Sequence, residues 1–175
     1  KTLEDFQRIE EEFGGALPLV ATVQWDAGAE VTPDTTYAAI ADAHAVLARQ
    51  EIAGPPLSLV NLYRAMPEKE QNPGSLFQQL ARVPEDQRQV MFDPELRRSV
   101  ILARCRDAGG HPIDDMLTEV VNEFAQLESQ HPGFEFAVTD TALQGIRNSN
   151  MIVADLIKSM LLAIPLTLGV IMFEL

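Results

Sequence analysis

An α+β fold, a sheet carrying helices on one face, is the class this sequence predicts, and three observations predict it. Leu17–Trp25 and Phe134–Thr139 alternate apolar and polar residues in the period-2 pattern of half-buried strands. A third apolar run, Arg97–Cys105, also has the composition of a strand. Two helical patterns each open with a proline, Pro33 and Pro112, at the first helical position, where its fixed φ and missing N–H cost little.

Taken in order, residues 1–16 read as an amphipathic lead-in helix: Leu3, Phe6, Phe13 and either Ile9 or Glu10 form one apolar stripe, and Gly14-Gly15 stops it. In the first strand Leu19, Ala21, Val23 and Trp25 share a face, which aims Trp25 at the core. Thr32 as N-cap and Pro33 then open a helix through about Arg49, with Tyr37, Ile40, Ala41, His44 and Leu47 on its apolar side. Gly54-Pro55-Pro56 ends that unit. Residues 57–66 fit a strand or a short helix, residues 66–74 a charged solvent loop with two prolines, and residues 75–82 a short helix.

After the strand Arg97–Cys105 comes a turn at residues 107–110, then the helix opened by Pro112, with Asp114 and Asp115 where carboxylates suit the positive dipole end. Its stripe is Ile113, Met116, Leu117, Val120, Val121, Phe124 and Leu127. Pro132-Gly133 ends it before the last strand. Two strand-helix-strand units in residues 17–141 therefore predict a ferredoxin-like split β-α-β sandwich, with residues 142–175 leading helically into an apolar tail.

Length and charge bound the function. With 175 residues the chain can bury a core without staples, and its 13 Lys and Arg against 26 Asp and Glu leave a charge of −13, the wrong sign for a nucleic-acid partner. The lone Cys105 excludes an internal disulfide and a cysteine zinc cluster.

The tail is a different material. Ser159–Phe173 is fifteen residues without a charge, against acids and bases scattered through almost everything before it. As a helix it would reach roughly 22 Å, short of a ~30 Å bilayer core. It reads as the first part of a transmembrane helix that continues past Leu175, or else as a buried C-terminal core helix. Pro165 and Gly169 favour the membrane, where helices tolerate both better than soluble ones do.

No chemical motif emerges. His44, His111 and His131 lack metal-ligand spacing: His44 lies on an apolar stripe, where a buried histidine satisfied by one hydrogen bond is expected, and the other two flank opposite ends of a helix. GxSxG and both common phosphate-binding loops are absent from the sequence. Cys105 shares a strand face with Ile101 and Ala103 and reads as a small buried hydrophobe. Arg97, Arg98, Arg104 and Arg106 are the basic cluster, three of them on one strand face. They suit an anionic headgroup or a solvated face balanced by Asp93, Glu95 and Asp107. No catalytic, cofactor or metal residue is expected, and no enzyme activity.

Three stretches carry a family resemblance. FGGALPLVATVQW resembles the entry into the periplasmic porter region of resistance-nodulation-division (RND) exporters, and the stretch from RRSVILARCRDAGG to HPGFEF resembles its second β-α-β unit. ADLIKSMLLAIPLTLGVIMF resembles the helix that returns the porter domain to the bilayer. The branch is similar to the MMPL-type exporters of lipids and hopanoids. One departure is Thr139, Asp140, Thr141 where the family usually writes Thr-Gly-Thr, since Asp takes up positive φ less readily than Gly.

The resemblance implies a proton-driven exporter of hydrophobic or lipid-like molecules in a bacterial inner membrane, with this domain facing the periplasm. Its partners would be the remainder of the transporter chain, the membrane, the lipid-like substrate and, as a homo-oligomer, further copies of the chain. The family's proton-relay acids lie in membrane helices outside this chain, so no coupling residue is carried over. A competing reading is a soluble ferredoxin-like ligand-binding or regulatory module whose apolar tail is a docking helix.

Overall fold

A computed structural model describes residues 15–28, 31–106 and 110–139, and the side chains of residues 110 and 111 are outside that description. The expected lead-in helix, the turn at residues 107–109 and the apolar tail lie outside the described residues. No helix among those described is long and apolar enough to cross a membrane.

The described elements form an α+β domain: β1 (Leu17–Trp25), α1 (Pro33–Ala48), α2 (Leu59–Ala65), a 3-10 turn (Glu68–Glu70), α3 (Pro73–Leu80), α4 (Glu85–Arg88), β2 (Phe92–Asp93), β3 (Arg98–Cys105), α5 (Gly110–Gln130) and β4 (Phe134–Thr139). The sheet order is β2-β3-β1-β4, and all neighbouring strands are antiparallel. Each helical crossover, from β1 to β2 and from β3 to β4, therefore returns two places away in the sheet.

Alternation sorts the faces as the sequence predicts. Leu19, Ala21 and Val23 of β1, Ser99, Ile101, Ala103 and Cys105 of β3, and Phe134 and Phe136 of β4 are buried on one face. From α5, Ile113, Met116, Leu117, Val120, Phe124 and Leu127 are buried against it. Val121, expected in the same stripe, is 53% exposed. It sits one residue past Val120, about 100° further round the helix, beyond the width of the buried stripe. Trp25 is half-buried at the end of β1, its ring centroid 5.7 Å from Phe92 and 6.3 Å from Phe134.

The first crossover departs most from expectation. The residues at 54–56 do not simply end a unit: Ala53 and Leu57 bridge Cys105 and Leu102, laying this segment along the outer edge of β3. Pro55 and Pro56 offer no N–H, so the pairing is interrupted between the two bridges and resumes at Leu57. Residues 57–66 are thus an edge contact followed by the helix α2. The returning strand is the two-residue β2, which no alternation could reveal. Residues 66–74 include the exposed 3-10 turn, and α3 starts at Pro73, two residues before the expected helix. Arg97, expected in β3, instead adopts φ 49° in the hairpin that precedes it.

Helix α1 starts as predicted. Thr32 accepts from the Thr35 amide, Thr35 returns a bond to the Thr32 amide, and Pro33 follows the cap. Its buried set is wider than one stripe: Thr36, Ala39, Ile40, Ala43, His44, Val46 and Leu47, with Tyr37 and Ala41 only half-buried. The reason is that α1 lies between the sheet and the layer of α2 and α3, so it needs apolar residues on two sides. Helix α5 begins at Gly110, which puts Pro112 in its first turn rather than at its first position.

Gly15 sits where only glycine fits. Its φ is 144°, and a Cβ there would lie 2.2 Å from the backbone carbonyl of Cys105. The chain thus enters β1 pressed against the end of β3.

Candidate functional site

The concave surfaces among the described residues include two of comparable size. The larger, about 450 Å³, lies between the end of α1 and the first turns of α5. Gln50, Ile52 and Met116 provide buried or half-buried surface there, while Glu51, Asp115, Glu119 and Arg49 are exposed around it. Arg49 pairs with Glu123 and so ties the end of α1 to α5. With three carboxylates about an apolar floor, the cleft suits a cationic or amphiphilic group. The smaller, about 340 Å³, lies where Pro18, Pro55, Leu57, Leu102 and Arg104 meet at the edge of the sheet.

The buried histidine behaves as a structural group. His44 is 5% exposed, and its Nδ1 lies 2.9 Å from Ser58 Oγ. Ser58 caps α2: its Oγ accepts from the Val60 amide, and Asn61 Oδ1 accepts from the Ser58 amide. A serine beside a histidine is the geometry of an activated nucleophile. Here Ser58 is 0% exposed, so no substrate can approach the hydroxyl, and the pair instead fastens α2 to α1. Burial lowers the His44 pKa, and the nearby Arg64 charge lowers it further, so the ring is held neutral.

Other polar groups complete the scaffold. His131 Nε2 lies 2.8 Å from Asp42 Oδ2, linking the end of α5 to α1. The rings of Tyr37 and Tyr63 are 4.4 Å apart, and the Tyr63 hydroxyl donates to the Gln71 carbonyl. Burial, then the Tyr63 neighbour, raises the Tyr37 pKa against the opposing influence of Arg64. Cys105 is 1% exposed and burial pushes its thiol up to about 11, which makes it unreactive.

The basic cluster is divided. Arg98 and Arg104 extend from the face of β3 opposite Ile101 and Ala103, while Arg97 is in the hairpin and Arg106 follows the strand end. The histidines are likewise separate: His44 and His131 each have a different partner, and the His111 side chain lies outside the described residues. No group of three His, Cys, Asp or Glu among the described residues could hold a metal ion.

Sequence reading named no substrate-binding residue, and it missed the cleft. Met116 is read correctly as a stripe residue, but only the tertiary approach of residues 49–52 makes it a cleft floor. No family model and no curated protein matches this chain.

Proposed function

We propose that this chain is the extracytoplasmic porter domain of an RND-type exporter of the MMPL branch, moving hydrophobic or lipid-like molecules at the expense of a proton gradient. The observation that carries the reading is the strand order β2-β3-β1-β4 with every neighbouring pair antiparallel. That order supports a ferredoxin-like split β-α-β sheet, in which each crossover spans one intervening strand and the helices gather on one face. The quoted stretches of the sequence add the likeness to a porter region, and the uncharged run Ser159–Phe173 supplies a segment that enters a bilayer.

In this reading the domain is a wall of the transport path. The continuous core of α1, α5 and the sheet lets it move as a body, and substrate passes over its clefts rather than reacting within them. The acidic cleft beside Met116 is the described surface that suits an amphiphile.

The test is membrane association of the chain itself. With a fluorescent protein fused after Leu175 and expression in a bacterium, the fusion is expected in the membrane fraction and resistant to alkaline carbonate. Leu162→Arg with Leu168→Arg should release it. A wild-type fusion recovered entirely in the soluble fraction would reject the porter reading in favour of the soluble module. The reading frame around the chain gives a second check: it should encode about a dozen apolar runs of ~20 residues.

A further inference from the structure

The sheet has a second face, and its side chains form a pattern. Val20, Thr22 and Gln24 of β1 lie in the middle, Arg98, Val100 and Leu102 of β3 on one side, and Glu135, Ala137 and Thr139 of β4 on the other. The register arranges them in three rows: Thr139–Val20–Leu102, Ala137–Thr22–Val100 and Glu135–Gln24–Arg98. Val20, Thr22, Val100 and Leu102 are half-buried, whereas Gln24, Glu135, Ala137 and Thr139 are exposed. The face is thus open to solvent with an apolar centre.

Each row is unequal at its two ends. Leu102 and Val100 are large where Thr139 and Ala137 are small, and Arg98 is positive where Glu135 is negative. Arg98 and Glu135 stand two strand spacings apart, about 10 Å, with Gln24 between them. Neither makes an ion pair among the described residues, and Arg98 Nε is shielded from solvent without a hydrogen-bond partner. Asp93, the cross-strand neighbour of Arg98, accepts at Oδ1 from the amides of Glu95 and Leu96.

We infer that this face binds a second copy of the chain, sheet upon sheet, about a two-fold axis parallel to β1. That operation turns each row onto itself with its ends exchanged. Arg98 then meets the partner's Glu135, Val100 the partner's Ala137 and Leu102 the partner's Thr139, while Gln24 meets the partner's Gln24. Large faces small, and positive faces negative twice per dimer. Stacked sheets cross at about −30°, so the end rows diverge by a few ångströms, a gap that the long Arg98 side chain spans.

Side-by-side pairing of sheets is obstructed at both edges. Glu128 Oε1 accepts from the Phe136 amide on the outer edge of β4, and residues 53–57 with β2 cover the outer edge of β3. Three strands of this length present roughly 15 by 20 Å per copy, about 600 Å² for the pair and below the ~1,200–2,000 Å² of stable interfaces, so the dimer is weak and concentration-dependent. The inference rests on the sheet alone and stands apart from the transport reading.

Sedimentation velocity of the 175-residue chain in a mild nonionic detergent, over ~5–500 µM, reads the association directly. Arg98→Glu or Glu135→Arg alone should raise the dimer Kd about tenfold, by replacing two attractive pairs with two repulsive ones. The combined swap should return it to within about threefold of wild type. Gln24→Cys should be linked into a dimer by a short bismaleimide, which spans the ~10 Å between stacked sheets that a disulfide does not, and Cys105 is buried and so does not compete. Far-UV circular dichroism verifies that each variant is folded. A monomer at the highest concentration, a double swap as weak as either single change, or a dimer that does not cross-link through Gln24→Cys would each overturn the inference.

Discussion

The two crossovers of this sheet perform one topological task with different material. From β3 to β4 the chain uses a single helix of 21 residues, α5, whose apolar stripe lies on the sheet. From β1 to β2 it uses α1, then three short helices and a 3-10 turn, before a strand of two residues. A long amphipathic helix docks by the area it buries. Short helices are marginal by themselves, so the first crossover depends on caps at Thr32, Ser58 and Asn72 and on buried polar contacts such as His44–Ser58.

If that contrast is right, the largest loss comes from opening a cavity under α5. Phe124 is 2% exposed and its ring lies 5.8 Å from Phe136 across the helix–strand contact. Phe124→Ala should cost about 3–5 kcal/mol in urea unfolding, a large share of a domain's ~5–15 kcal/mol. A loss below about 1 kcal/mol would mean that the second crossover is not held by its hydrophobic face.

The first crossover should fail through a hydrogen bond instead. Ser58→Ala removes only one oxygen, but it strands the Val60 amide and His44 Nδ1 in a buried site. We expect a loss of about 2–3 kcal/mol, combining a lost cap with an unsatisfied buried group. Native-state hydrogen exchange should show α2 and α3 opening at lower free energy than α5, with the gap widened by this variant.

These differences also explain what was legible in the sequence. The strands around Leu19, Ile101 and Phe136 could be read because alternation records one buried face, and α5 because its stripe is continuous. β2 could not: Phe92 and Asp93 are too few to show a period, and they are defined by partners in β3. Residues 53–57 join the edge of β3 through two bridges around a Pro-Pro pair, a tertiary fact with no local signal. The breadth of burial on α1 was likewise hidden, because the second layer it supports is assembled from fragments. The cleft at Gln50, Ile52 and Met116 depends on two distant segments meeting, which spacing along one chain does not encode.

Acid should act on the first crossover through His44. Its folded pKa is lowered from 6.5 by burial and then by Arg64, so the unfolded chain binds the proton more readily than the native one. Stability is therefore fullest above about pH 6.5 and declines as the pH falls toward the lowered native value. Other groups also respond to acid, so the quantity to follow is wild type minus His44→Gln. That difference should be flat above about pH 7 and shrink in acid; a difference that is constant down to pH 5 would detach His44 from the acid response.

The smallest expected effect sharpens the contrast from the other side. Val121 looks like a member of the α5 stripe, yet it is 53% exposed while Val120 beside it is fully buried. Val121→Lys should alter stability by no more than about 0.5 kcal/mol, as an exposed helix position with little contact to lose. The same change at Val120 would place an ammonium in the core and should prevent folding. A loss above about 1 kcal/mol at Val121 would indicate that another surface covers this side of α5, and the second crossover would then share with the first a need for support on two sides.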